Sequence, residues 1–332
     1  MRTFGLGLIG LIVIASGADL DARAGGPAPA VSAADDATAT RKLARDELDR
    51  LGRDWHPSAA VIVVLDPRDG RIIASEGRLG AADAPTLASD HLWITGSTLK
   101  SLTLAAAIDA GVVTPDSVVD CAPRAYPEGQ LTDWKTLGKL TLRDALAQSS
   151  NVGASRVLDA LGLARLTAAY ARLHVFDAPG AIPAVGDEHG IAAASLAAGE
   201  LASTSPLRLA AAYATLFDGG RYHAPTADGH GATEVALAPA TAAALLPLLE
   251  NVVAGDLGTG HRAQIQGHRV AGKTGTAALA SGLTYASFVG MVLDADPPRV
   301  ILVGVELAPK DDATGGAVAA PAFARLAARL AR

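Results

Sequence analysis

Hydrophobic and polar positions divide the chain into stretches with different periods. Phe4 to Ala18 carries no charge and holds the run Leu8-Ile9-Gly10-Leu11-Ile12-Val13-Ile14, with Arg2 just before it. That stretch is shorter than the roughly 20 residues a bilayer span needs. It fits a secretory h-region, followed by a small-residue cleavage site at Ala22-Arg23-Ala24. Residues 1–24 therefore read as a signal peptide or as a retained N-terminal anchor, and both place the folded part outside the cytoplasm. Residues 25–40, rich in Ala, Pro, Gly and Ser, read as a linker. A charged helix with a narrow stripe of Leu43, Leu48 and Leu51 is expected over about Asp36 to Leu51.

The apolar run Ala60 to Leu65, the turn residues Asp66-Pro67-Arg68-Asp69-Gly70 and the segment Arg71-Ile72-Ile73-Ala74 predict a β-hairpin. Helical patterning dominates Ser97 to Leu249, punctuated by Gly111, Pro115, Pro206 and Gly219-Gly220. Strand patterns return over Val270 to Thr276, Tyr285 to Leu293 and Arg299 to Leu307, and an Ala/Leu/Arg helix is expected over Ala317 to Leu330. Strands at both ends with helices between them predict a single α+β domain over residues 41–332. Its terminal strands would meet in one antiparallel sheet, with a helical subdomain between them.

Composition narrows the partners. Of the 332 residues, 50% are hydrophobic and 19% charged, enough for a sizeable core. A net charge of −6 argues against nucleic acid, because neutralising phosphates needs clustered Lys and Arg. Cys121 is the single cysteine, which excludes an internal disulfide or a cysteine-built zinc site and suggests a buried, inert thiol. His223, His230, His261 and His268 lie in Gly/Pro-rich loops without carboxylates at ligand spacing, so no metal and no cofactor is expected.

Three short motifs could carry chemistry. Ser97-Thr98-Leu99-Lys100 opens the apolar run Leu102 to Ala110, which puts a hydroxyl and an amine one helical turn apart at a helix start. Only 6 of the 28 basic residues are Lys, and lysine, unlike arginine, can lose its proton when buried. A solvated surface pair is the plain alternative. Ser149-Ser150-Asn151 separates two short helices, Leu142 to Gln148 and Val152 to Leu161, where Ser and Asn serve as caps. Lys273-Thr274-Gly275-Thr276 lies on a strand, where a charge could simply guard an exposed edge. Gly267 to Thr274 also matches the nucleotide-binding pattern G-x-x-x-x-G-K-[ST]. That pattern needs a strand before its first glycine and a helix at its Lys-Thr. His261 to Gln266 makes a poor strand, and Gly275 weakens a helix start.

Taken in order, S-x-x-K, S-x-N and K-T-G form a set shared by penicillin-binding proteins and serine β-lactamases. The chain resembles a penicillin-binding protein transpeptidase domain of the monofunctional class. Asp66 to Ile72 is similar to the family's first hairpin, Ser205 to Ala214 to the helix after the S-x-N region, Val270 to Ala277 with Tyr285 to Gly290 to its K-T-G hairpin, and Ala319-Ala320-Pro321 to the start of its last helix. The resemblance runs from about Leu43 to Arg332.

It implies a β-lactamase/transpeptidase-like fold and a serine D,D-transpeptidase of peptidoglycan stem peptides that also binds β-lactams. Ser97 would be the nucleophile and Lys100 its base, with the amine kept neutral by the helix N-terminus and the charge of Lys273. Ser149 would relay a proton to the leaving amine. Asn151 would hold the substrate amide and position Lys100, and Lys273, Thr274, Gly275 and Thr276 would form the wall that binds the terminal carboxylate. Backbone N–H groups of Ser97 and Thr276 would form the oxyanion hole. Leu99, Ala197-Ala198-Gly199 and Ala278 depart from the family pattern in the substrate groove. Family members of this class carry a long pedestal before the catalytic domain, and here a tether and one helix fill that place, which argues against the role of a main septal or elongation synthase. A D,D-carboxypeptidase differs only in using water as acceptor. A β-lactamase is disfavoured because neither a Glu-x-x-x-Asn nor a Tyr-Gly-Asn segment is present. A cell-wall synthesis complex is a possible partner.

Overall fold

A 23-residue helix, α1 (Ala33–Trp55), opens the fold. The structure is a computed structural model that describes residues 33–176, 182–310 and 312–331. Asp35 and Asp36 in its first turn and Arg53 in its last complement the helix dipole. The helix starts at Ala33, so residues 33–40 are helical where the sequence suggested a linker. Residues 1–24 lie outside the described part.

Next come β1 (Ala59–Leu65) and β2 (Ile72–Leu79), joined by a turn in which Gly70 N–H donates to the Asp66 carbonyl at 3.0 Å. A short strand, β3 (Ala82–Asp83), pairs with β2. The sheet is completed from the far end of the chain by β4 (Val270–Ala278), β5 (Thr284–Val292) and β6 (Val300–Leu307). Strand order is β4-β5-β6-β1-β2-β3, with every pairing antiparallel. β1 meets β6 with Ala59 opposite Glu306 and Leu65 opposite Val300. The expected union of the two terminal strand groups is therefore present.

β1 is buried on both faces, and its period-two alternation sorts its side chains between two cores. Val61, Val63 and Leu65 face one cluster together with Leu302 and Val289. Ala60, Ile62 and Val64 face the other, with Phe288, Val303, Leu48 and Phe323. The second core is roofed by α1 and the last helix, α9 (Ala320–Leu330). That helix is entered through a wide helical turn at Gly315–Ala319 rather than being regular from Ala317.

The first core holds the helical middle: α2 (Leu99–Asp109), α3 (Leu142–Ala147), α4 (Asn151–Leu161), α5 (Leu163–Arg172), α6 (Ile191–Ala198), α7 (Pro206–Phe217) and α8 (Pro239–Ala254). Pairs of short strands interrupt it, Val118–Asp120 with Lys139–Thr141, Arg124–Tyr126 with Gly129–Leu131 and Arg221–His223 with Thr233–Val235. Their strands are three residues each, too short for a periodic signal in the sequence. α2 is buried over nearly its whole circumference, from Leu99 to Ala107. A helix apolar all round belongs in a core, and this one carries the lysine of the Ser-x-x-Lys in its first turn.

Candidate active site

Ser97 sits in a tight 3₁₀ turn, Gly96–Thr98, that runs directly into α2. The turn is fixed by Thr98 Oγ1 donating to the Thr95 carbonyl at 2.6 Å and by the buried Tyr213 hydroxyl donating to the Thr98 carbonyl at 2.6 Å. One turn on, Lys100 is 3% exposed, and its Nζ lies 2.6 Å from Ser97 Oγ and 3.0 Å from the Ala198 carbonyl. The surface-pair alternative is therefore excluded. Burial lowers the Lys100 amine to about 8, opposed by the charges of Glu200 and Asp133. The direction matches the expectation, but the cause is desolvation rather than Lys273 or the helix end. The like-charge effect appears on the partner: burial first, then the charge of Lys100, holds Lys273 well below the ordinary lysine range.

The Ser149-Ser150-Asn151 segment divides its labour. Ser150 is the cap of α4, its Oγ accepting from Gly153 N–H at 2.8 Å and donating to Asp133 Oδ2 at 2.6 Å. Asp133 also accepts from the backbone N–H groups of Asn151 and Val152. With the cap supplied by its neighbour, Ser149 is free to take φ 61°, an uncommon conformation for a non-glycine residue. There its Oγ accepts from Lys273 Nζ at 2.9 Å. The Asn151 side chain lines the cleft; among the described residues, Lys100 is bonded to Ser97 and Ala198 and not to Asn151.

Lys273 lies on edge strand β4, yet it is fully buried, so the solvated edge charge does not apply. Its Nζ also donates to the Thr274 carbonyl at 3.0 Å. Thr274 Oγ1 is 2.7 Å from Thr259 Oγ1, and Thr276 Oγ1 accepts from Gly315 N–H at 3.1 Å. Gly275 allows β4 to approach the turn that carries Ser97, since a Cβ there would stand 2.9 Å from Thr98 Cγ2 and 2.4 Å from Ser287 Oγ. Because strand β4 runs straight through Lys273 and Thr274, the nucleotide-loop alternative, which needs a helix there, fails.

Ser97, Ser149, Asn151, Glu200, Thr274 and Thr276 line one cleft of about 640 Å³. Trp134 and Leu257, 68% and 43% exposed, form apolar parts of its walls. Asp133, Glu200 and the Ala198 carbonyl were not singled out from the sequence. Glu200 had a signal, being the only charged residue between His189 and Arg208 in an otherwise apolar and small-residue stretch. Asp133 had none. Of the loop histidines, His223 pairs with Asp218 and Thr233 and His268 with Asp294, and no group of metal-ligating residues occurs among the described residues. Cys121 is buried, as expected.

Residues 60–328 match the family model of the penicillin binding protein transpeptidase domain. The chain belongs to this family. It is 29% identical over 304 residues to the probable peptidoglycan D,D-transpeptidase PbpC of Pseudomonas aeruginosa, covering 82% of this chain and 53% of that one. It is 30% identical over 340 residues to the probable peptidoglycan D,D-transpeptidase FtsI of Caulobacter vibrioides, covering 86% and 56%. The transpeptidase domain of Burkholderia pseudomallei penicillin-binding protein 3 superposes with a TM-score of 0.74 at 25% identity, over 87% of this chain and 92% of that one. The chain spans about half the length of the curated relatives it matches.

Proposed function

We propose that this chain is a serine D,D-transpeptidase that acts on peptidoglycan stem peptides through an acyl-enzyme at Ser97, and that β-lactams acylate the same serine. The observation that carries the reading is the 2.6 Å contact between Lys100 Nζ and Ser97 Oγ, made by a buried amine lowered to about 8. A base of that strength keeps a neutral fraction at neutral pH, as activation of a serine requires.

In the proposed first half-reaction, Ser97 Oγ attacks the carbonyl carbon of the penultimate D-alanine and gives its proton to Lys100. The C–N bond then breaks, and the leaving amine takes a proton relayed through Ser149. Lys273, Thr274 and Thr276 receive the terminal carboxylate, whose charge compensates the buried Lys273, with Gly275 keeping that strand close to the Ser97 turn. Asn151 holds the substrate amide. Backbone N–H groups of Ser97 and Thr276 stabilise the oxyanion, on the order of 3 kcal/mol per donor. In the second half-reaction an amine of another stem peptide takes the acyl group. The domain carrying this chemistry begins with α1 and runs to the last helix. We further infer an extracytoplasmic location, with residues 1–24 as the export signal or anchor, and work beside a cell-wall synthesis complex.

The test is incubation with a fluorescent penicillin. The parent protein is expected to acquire a stable covalent label, and Ser97→Ala to acquire none. Absence of label on a folded parent sinks the reading, and rapid loss of label assigns the protein to β-lactam hydrolysis instead.

A further inference from the structure

Glu200 is the acidic group that the mechanism above leaves without work. Its backbone is tied to the nucleophile turn from several sides. α6 ends at Ala198, and the chain reverses through Gly199, at φ 86°, with Glu200 N–H donating back to the Ser195 carbonyl at 2.8 Å. Gly199 lies flat against the Gly96 carbonyl, so closely that a Cβ would come within 1.9 Å of that oxygen. Thr95 Oγ1 donates to the Gly199 carbonyl at 3.2 Å, and Thr95 N–H donates to the Ala202 carbonyl at 3.1 Å. Residues 198–202 and 95–100 therefore behave as one rigid piece, carrying Ser97, Lys100 and Glu200 together.

The side chain of Glu200 lines the cleft beside Ser97, within electrostatic reach of Lys100, but makes no hydrogen bond or ion pair with any described residue. The other nearby carboxylate, Asp133, is occupied by Ser150 and two backbone N–H groups. Asp256 lines the cleft from the loop after α8, on the wall that carries Leu257 and Thr259. Glu200 is thus the free carboxylate fixed to the nucleophile's own turn.

We propose that Glu200 receives the ammonium group of the second, acyl-accepting peptide and removes its proton before transfer. The proposal rests on the transpeptidase reading. An amine reaches the site as an ammonium ion, which has no lone pair to attack an ester. Lys100, neutral again once the leaving amine has taken the first proton, is the route by which the second amine proton returns to Ser97 Oγ, so the ammonium proton needs a separate acceptor. Burial in the cleft pushes the Glu200 carboxyl up, against the pull of the Lys100 charge, which makes it a better base than an exposed glutamate. The sequence of events balances. R–NH3⁺ gives one proton to the Glu200 carboxylate, and the resulting R–NH2 attacks the acyl carbon. The new C–N bond forms as the ester C–O bond breaks. The second amine proton passes through Lys100 to Ser97 Oγ, and Glu200 returns its proton to solvent.

The experiment follows the fate of one acyl-enzyme, so that changes in its formation cancel. The full chain is given a small D-alanyl thioester donor, and the ratio of transfer to hydrolysis is measured with two acceptors at neutral pH. One is a D-amino acid, which is an ammonium ion there; the other is hydroxylamine, which is already neutral. For Glu200→Gln the ratio with the D-amino acid is expected to fall at least about tenfold, while the ratio with hydroxylamine stays within about twofold. A merely structural loss would lower both alike, and equal ratios in parent and variant overturn the inference while leaving the transpeptidase reading intact. A parent that forms no acyl-enzyme, or transfers to water alone, overturns both. Penicillin labelling of the variant reports that it is folded; should Glu200→Gln not fold, Glu200→Ala is read by the same comparison.

Discussion

In the proposed mechanism Lys100 sets the pH dependence of the first chemical step. Its amine must be neutral to take the Ser97 proton, and burial places its midpoint at about 8. Below that pH the neutral fraction falls about tenfold per pH unit, so the second-order rate of acylation by penicillin is expected to climb with unit slope towards pH 8 and then level off. A flat profile between pH 6 and 8 would remove Lys100 as the base. The same burial has a sign for stability. An amine whose folded value lies below the ordinary 10.5 binds its proton less tightly in the folded protein. Stability is therefore lost as pH falls from about 10.5 to about 8, and the full cost stands at neutral pH. Lys100→Met, which removes the buried amine but keeps most of its volume, is expected to abolish labelling while raising the stability to urea by on the order of 1–3 kcal/mol. A Met variant that is less stable than the parent would mean that the Ser97 and Ala198 hydrogen bonds outweigh the desolvation.

Elements bring these residues together, and they were legible to different degrees. The hairpin β1–β2 and strands β4 to β6 follow from apolar runs bounded by turn residues. The structure moves most of their ends by one or two residues, but β2 runs on five residues past Ala74 to Leu79, through Ser75, Glu76 and Arg78, where the apolar run has stopped. The three motifs could be found because each pairs rare residue types with a helix start or a strand. The contacts between them could not, because they depend on backbone geometry. Ser149 reaches Lys273 only because its neighbour Ser150 takes the cap, and Ala198 reaches Lys100 only because α6 ends where Gly199 can turn left-handed. Gly199 is the sharpest test at this scale. A side chain there faces both a positive φ and the Gly96 carbonyl, so the backbone must shift. Gly199→Ala is expected to cost about 2–4 kcal/mol in urea unfolding and to slow acylation at least about tenfold, since Ser97 is on the segment displaced. A variant that loses stability but labels at the parent rate would show that the turn and the loop are not coupled.

The whole molecule is a sheet between two cores, with the cleft on the helical side and α1 on the other. The matched family region begins at residue 60, so α1 precedes it, yet the helix is bound into the second core. Leu48 and Leu51 are each 1% exposed and pack in the cluster that contains Ile62, Val64 and Phe323. Among the described residues, four ion pairs tie its polar side down: Arg299 Nη2 to Asp36 Oδ2 at 2.6 Å, Arg45 Nε to Glu76 Oε2 at 2.8 Å, Arg325 Nε to Glu47 Oε1 at 3.0 Å and Arg78 Nη2 to Asp49 Oδ1 at 3.1 Å. Arg299, Glu76 and Glu47 are themselves buried, so these are not freely exposed pairs. Truncating Leu48 leaves them in place and removes only apolar packing along this seam, and the loss of a buried leucine side chain costs about 2–5 kcal/mol. Leu48→Ala should therefore lower the global stability by that amount in one cooperative transition, seen alike by circular dichroism and by loss of penicillin labelling. Labelling of the folded fraction should keep its rate, because the seam lies across the sheet from Ser97. If the helical signal instead fell first while labelling persisted, α1 would be an appendage, and the catalytic domain would begin at β1.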